Sequence, residues 1–171
     1  LVTTDDDRLA DSLRHLRVHG ARERYYHDVV GLNSRLDALQ AAILRVKLPH
    51  LDAWSDARAA NARRYDGLFA GSRAIPPAAR PFVRHVYNQY TLRVPNRDAV
   101  MASLKANDIG HAVYYPVPLH LQKCFADLGY REGSLPVSEQ AAREVLSIPI
   151  YPELTDDMAA FVAAKVREIT G

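Results

Sequence analysis

The 171-residue chain is 48% hydrophobic and 25% charged, and its 22 Lys and Arg against 20 Asp and Glu leave a formal net charge of +2. Leu, Ile, Val and aromatic residues are spread along the whole length, and no apolar run approaches the roughly 20 residues that cross a bilayer, which excludes a disordered chain and a membrane-spanning helix. A single cysteine, Cys124, excludes an internal disulfide and a multi-thiolate metal site, and it suits a reducing cytoplasm.

Leu1 is not an initiator Met, and Leu1-Val2-Thr3-Thr4 reads as a strand entered partway, so the chain reads as the C-terminal portion of a longer protein. Thr4, followed by Asp5, Asp6 and Asp7, is an N-cap candidate with acidic residues in the first turn, where the helix dipole favours negative charge. Leu9, Leu13 and Leu16 then recur at helical spacing, which predicts a helix over about 5–19 that Gly20 ends. Residues 20–32 have no sustained period and read as a loop. A second helix is predicted after Asn33-Ser34, with Leu36, Leu39, Ile43 and Val46 on one stripe as far as Leu48. From His50 a longer amphipathic pattern runs to Ala70.

Ser72 to Arg84 holds Pro76, Pro77 and Pro81 without a period and reads as a surface loop. Val86 to Val94 reads as a strand, Asn96 as the cap of a helix closed by Gly110, and Ala112 to Tyr115 as a second short strand stopped by Pro116 and Pro118. Helical stretches follow at about 121–128, with Cys124 read as a small buried residue, and at about 138–146. The prolines at 149 and 152 make residues 148–152 extended. Thr155 caps a last helix whose predicted apolar stripe is Met158, Phe161, Val162, Val166 and Ile169. Helices first, then strand, helix, strand and helices is an α/β or α+β order around a small sheet.

The basic residues are almost all Arg and are scattered. The densest group, Arg14, Arg17, Arg22 and Arg24, also holds Asp11 and Glu23, so it reads as a solvated face and not as a nucleic-acid footprint. Seven histidines share no metal-ligand spacing, and phosphate-loop, dinucleotide and hydrolase-elbow motifs are absent. Two segments stand out. Asn33, Ser34 and Arg35 at a predicted helix start combine backbone N–H groups, an amide and a guanidinium able to hold a phosphate or carboxylate, or they are simply a cap and a surface Arg. Tyr114-Tyr115-Pro116-Val117-Pro118-Leu119-His120-Leu121-Gln122 makes a stiff, polar-tipped loop able to line a pocket, or a proline-rich turn with its tyrosines half packed.

Together with Leu16-Arg17-Val18-His19-Gly20, Gly31-Leu32-Asn33-Ser34-Arg35-Leu36-Asp37-Ala38-Leu39-Gln40, His85-Val86-Tyr87-Asn88-Gln89-Tyr90 and Leu146-Ser147-Ile148-Pro149, these segments resemble the DegT/DnrJ/EryC1/StrS sugar aminotransferases, in order and across essentially the whole chain. The resemblance implies the C-terminal part of a fold-type-I transferase dependent on pyridoxal 5'-phosphate (PLP). Residues 1–48 would be the end of the large PLP-binding domain and the start of the connecting helices, and residues 49–171 the small domain. It further implies transfer of an amino group, from glutamate, to a nucleotide-linked keto sugar, with the nine-residue loop pattern favouring a 3-keto sugar, and a role in making amino sugars for polysaccharides or secondary metabolites.

In that family the cofactor forms a Schiff base with a Lys upstream of the equivalent of Leu1, so no catalytic residue is expected here and the isolated chain is expected to be inactive. Asn33 matches a residue that reaches the cofactor phosphate of the neighbouring subunit in a homodimer. Arg35, Tyr114, Tyr115 and His120 match positions facing the nucleotide sugar. Two alternatives stay open: a sugar dehydratase of the same fold, which carries His in place of the Lys, and a non-catalytic dimerisation or binding domain.

Overall fold

The computed structural model describes residues 2–171, and the chain divides into two compact units, Leu1–Pro49 and His50–Gly171. In the first unit, α1 (Asp7–Leu16) is capped by Asp6, whose carboxylate accepts hydrogen bonds from the backbone N–H groups of Arg8 and Leu9. The cap is therefore Asp6 and not Thr4, whose hydroxyl oxygen instead accepts from Asp6 N. Val2 to Thr4 form no strand, and the Leu1 end of the expected strand lies outside the described residues. The segment read as a loop contains a small antiparallel hairpin, β1 (Ala21–Glu23) and β2 (Tyr26–His27), turned by Tyr25 at φ 73°.

A second helix, α2 (Ala38–Lys47), begins later than predicted because Asp37 outcompetes Asn33-Ser34 as cap; its carboxylate accepts from Leu39 N and Gln40 N. No residue of α2 is buried, and the stripe of Leu39, Ile43 and Val46 faces outward within this unit. Gly20 is the only buried residue among those described here. The unit is held by backbone contacts instead. Gly20 lies at φ +68°, where a Cβ would come 1.8 Å from the Val29 carbonyl oxygen, and a Cβ on Gly31 would come 2.2 Å from Gly20 N. Two glycines thus allow main chain to touch main chain.

The second unit has an apolar core. After a 3-10 turn at Leu48–His50 comes α3 (Leu51–Phe69). Two short strands, β3 (Tyr90–Arg93) and β4 (Val145–Ile148), pair antiparallel in the register Tyr90–Ile148, Thr91–Ser147, Leu92–Leu146 and Arg93–Val145. Because side chains alternate along a strand, Tyr90, Leu92, Leu146 and Ile148 share one face and all four are buried. Onto that face pack Tyr65 and Phe69 of α3, Val100 and Leu104 of α4 (Arg97–Ala106), and Val162 and Val166 of α6 (Asp156–Thr170). On the opposite face the hydroxyls of Thr91 and Ser147 lie 2.7 Å apart. The remaining helix, α5 (Pro136–Glu144), leads directly into β4.

Several expectations are corrected here. The strand predicted over 86–94 shrinks to Tyr90–Arg93, because Tyr87 at φ 45° turns the chain just before it. Ala112–Tyr115 contributes a single bridge, Ala112 to Ser147, and no strand. The stretch 121–128 is a 3-10 segment, Lys123–Leu128, which leaves Cys124 exposed and not buried. Thr155 caps α6 as expected, but that helix buries Ala159, Val162, Ala163 and Val166 and leaves Met158 and Phe161 exposed. Small residues let α6 lie close to its neighbours.

Tyr65 donates to the Pro149 carbonyl at 3.0 Å and Tyr90 to the Asp66 carboxylate at 2.6 Å. Burial pushes both phenols well above their ordinary range, helped at Tyr90 by the bond to Asp66. A raised phenol pKa favours the folded state below the unfolded value of about 10 and costs stability as pH rises beyond it. In an alkaline ultraviolet titration, Tyr65 and Tyr90 should therefore ionise only as the second unit unfolds. Tyr65→Phe and Tyr90→Phe should each remove amplitude from that late step alone.

Candidate functional site

Two groups of residues, one in each unit, carry the chemistry. In the first unit the segment Leu32–Ser34 is stitched to the end of α1. Leu32 N donates to Leu16 O at 2.8 Å, His19 N to Leu32 O at 2.9 Å and Ser34 N to Arg17 O at 2.9 Å, with Asn33 facing Val18 in an antiparallel bridge. These bonds use the Ser34 N–H that the sequence reading had offered to an anion, and the helix start lies further on at Ala38. The side chains remain available. Arg35 Nε donates to Asn33 Oδ1 at 3.2 Å, and both residues are exposed. That contact orients the amide so that its NH2 points away, and neither this NH2 nor the guanidinium terminus has a partner among the described residues. An exposed amide donor beside a guanidinium is a donor set that fits a phosphate.

In the second unit Tyr114 is 55% exposed and Tyr115 69% exposed, and neither hydroxyl has a hydrogen-bond partner among the described residues. Tyr114 borders an open cleft of about 370 Å³ whose polar lining comes from Asn88, Gln89, His111 and Ser147. A smaller hollow of about 80 Å³ shares Gln89, Tyr114 and Ser147 and adds Tyr115. A larger depression of about 550 Å³, between the end of β3 and the start of α4, contains none of the sequence-predicted residues. Tyr114 thus stands beside the Asn88 and Gln89 amides and Tyr115 beside Gln89, an arrangement suited to sugar hydroxyls. Gln89, Asn88 and Ser147 were not among the predicted site residues. Two adjacent amides in His85–Tyr90 were the available signal.

His120 is placed differently from its loop neighbours. It is 8% exposed, its ring meets Tyr130 edge-on at 6.0 Å between centroids, and its Nε2 lies 3.0 Å from Glu139 Oε1. Glu139, 5% exposed, also accepts from Gly133 N at 3.0 and 2.9 Å and from Leu135 N at 3.1 Å. The Gly133 N–H foremost, then His120 and the Leu135 N–H, hold the Glu139 carboxyl below the usual carboxylate range. An ionised carboxylate only accepts, so the proton of this bond sits on His120 Nε2.

The match to the family model of the DegT/DnrJ/EryC1/StrS aminotransferases runs over residues 1–167. The chain belongs to that family. It is 48% identical over 171 residues to the "pleiotropic regulatory protein" of Geobacillus stearothermophilus, covering 98% of this chain and 46% of that one. It is 42% identical over 167 residues to the UDP-N-acetyl-3-dehydro-alpha-D-glucosamine 3-aminotransferase of Acidithiobacillus ferrooxidans, covering 98% and 45%. Among solved structures, that of S. venezuelae DesV in complex with a ketimine intermediate superposes with a TM-score of 0.91 at 42% identity, covering 97% of this chain and 45% of that one. The chain thus spans about half the length of these members. The fold is that of a fragment of such a member, mixed helix and strand as its order of elements implied. Among the described residues no helix is long and apolar enough to cross a membrane, and no cluster of three metal-ligating side chains occurs.

The glycine contact that seats Asn33 gives a direct test. Gly31→Ala places a methyl where Gly20 N and the carbonyl end of α1 already lie, so the amides of Leu32 and Ser34 should lose hydrogen-exchange protection by about tenfold or more. Unchanged protection at those two amides would contradict the close packing.

Proposed function

We propose that this chain supplies the substrate-facing part of a PLP-dependent aminotransferase that moves an amino group from glutamate to a nucleotide-linked 3-keto sugar. The observation that carries the reading is the pair Tyr114 and Tyr115, exposed and without partners beside an amide-lined cleft, in a chain of this family. The 3-keto assignment is supported by the Tyr-Tyr-Pro-x-Pro-x-His-Leu-Gln pattern and by the 3-dehydro sugar in the name of the A. ferrooxidans relative. The Tyr115 ring covers one face of the sugar while its hydroxyl bonds a ring or phosphate oxygen, and Tyr114 closes the cleft edge. Arg35 neutralises an anionic part of the nucleotide sugar.

Asn33 and Arg35 also fit the cofactor's needs, because an amide donor held by a guanidinium matches a phosphate oxygen. Asn33 is proposed to serve the phosphate bound to the partner subunit of a homodimer, so that two sites are shared between two chains. PLP, when bound, supplies the electron sink through which the amino group leaves one carbon and is taken up by another. The amine that holds it is not proposed from this chain. Lys47, Lys105 and Lys123 are exposed on helical segments, and Lys165 is paired with Glu168 at 2.7 Å. The 171 residues alone are accordingly proposed to be inactive.

In the full-length enzyme, Asn33→Ala should weaken PLP retention by about tenfold or more, the worth of a hydrogen bond to a charged group, as read by cofactor loss on dialysis. Unchanged retention would remove Asn33 from the phosphate site. Tyr115→Phe should raise the KM for the nucleotide sugar about fivefold, the worth of one neutral hydrogen bond, and leave the KM for glutamate unchanged. Equal effects on both substrates would make the loop a structural element only.

A further inference from the structure

The sugar-facing tyrosines are not held by their own side chains. Both are more than half exposed and make no hydrogen bond among the described residues, so something else must set where they stand. Following the chain from Tyr115, Pro116 and Pro118 each fix a backbone φ. A tight turn then closes on itself, with Leu121 N donating to Pro118 O at 3.0 Å, Gln122 N to Leu119 O at 3.1 Å and Gln122 Nε2 to Val117 O at 3.4 Å. Within that turn His120 is the buried residue, and its imidazole ends on Glu139. Glu139 in turn belongs to α5, which runs into β4 and so into the sheet.

We propose that Glu139 is a positioning residue for sugar-nucleotide recognition: by holding His120 and the backbone of Gly133 and Leu135, it fixes the place of Tyr115. The proposal rests on the sugar-facing role of Tyr115 given above. Under it, His120 is an anchor of the loop and not a contact of the substrate, because its ring is buried and its Nε2–H is already committed to Glu139. One carboxylate gathers both ends of the irregular segment. His120 lies near its start, and Gly133 and Leu135 lie at its close, immediately before α5. Removing the carboxylate leaves the buried His120 imidazole without its partner and unties the N–H groups of the exposed residues Gly133 and Leu135, so the segment loses the bonds that hold it in place.

The test uses the full-length holoenzyme, with UDP-N-acetyl-3-dehydro-glucosamine as the sugar probe and glutamate as donor. Glu139→Ala should raise the KM for the sugar by about tenfold, with Glu139→Gln, which keeps one acceptor oxygen, in between. The half-reaction with glutamate alone, followed by the cofactor's absorbance, should stay within about twofold of the unaltered enzyme, since the Glu139 carboxylate is buried and committed to His120, Gly133 and Leu135. Hydrogen exchange should accelerate over residues 117–135 and nowhere else. An unchanged sugar KM in Glu139→Ala overturns the proposal, and so does an equal loss in both half-reactions, which would mark a general loss of fold. If the unaltered enzyme fails to turn over the sugar probe, the sugar-facing reading fails by itself. Exchange in Glu139→Gln then decides the anchoring separately: faster exchange confined to residues 117–135 supports it, and unchanged exchange overturns it.

Discussion

The antiparallel pairing of β3 with β4 is the constraint on which the second unit depends. Its four facing residue pairs put Tyr90 and Leu92 beside Leu146 and Ile148, and that apolar face receives α3, α4 and α6. Between Arg93 and Val145, α4 packs back on the core, and the rest, the exposed tyrosines and the His120–Glu139 pair included, lies in the long connection that this ladder closes. Because the entropy cost of closing a loop grows only with the logarithm of its length, a short ladder over an apolar core can carry a long irregular excursion. The excursion still needs local ties, which explains the density of hydrogen bonds around Glu139.

The first unit solves the same problem by other means. With Gly20 as its only buried residue among those described, it draws little from apolar burial within its own boundaries. Its order comes from main-chain bonds between the end of α1 and residues 32–34, from the carboxylate caps of Asp6 and Asp37, and from the contact of Gly20 with Gly31. Such contacts are directional and short. They fix where Asn33 and Arg35 stand while leaving both side chains in the open.

Legibility in the sequence followed the same division. The long helix α3 was readable from its period and length, and α6 because period and cap agreed, Thr155 taking the role its position announced. Ends were not readable wherever several residues competed for one role. Asp6 displaced Thr4 as the first cap, and Asp37 displaced Asn33-Ser34 as the second. Period alone misjudged the buried face of α6, where alanines and not Phe161 meet the core, and it misjudged Cys124, because a 3-10 segment rotates side chains differently from an α-helix. Of the site, Asn33, Arg35, Tyr114 and Tyr115 were named from motif, and all four prove exposed. The burial of His120 against Glu139 was not legible, since the two are far apart in sequence and no local pattern joins them. Nor was the cleft beside Gln89 and Ser147, which exists only once the strands pair.

The freedom of Tyr114 and Tyr115 bears on how such a protein changes over generations. Their side chains contribute no hydrogen bond and little burial to the fold, whereas their backbone is set by prolines and by a buried anchor further along. Replacing a residue of that kind changes stability by about half a kcal/mol or less, so selection on stability scarcely sees it. Mutational drift can therefore sample new side chains at positions 114 and 115 while the scaffold stays intact. A lineage could shift its preference among sugars there without first acquiring compensating changes in the core.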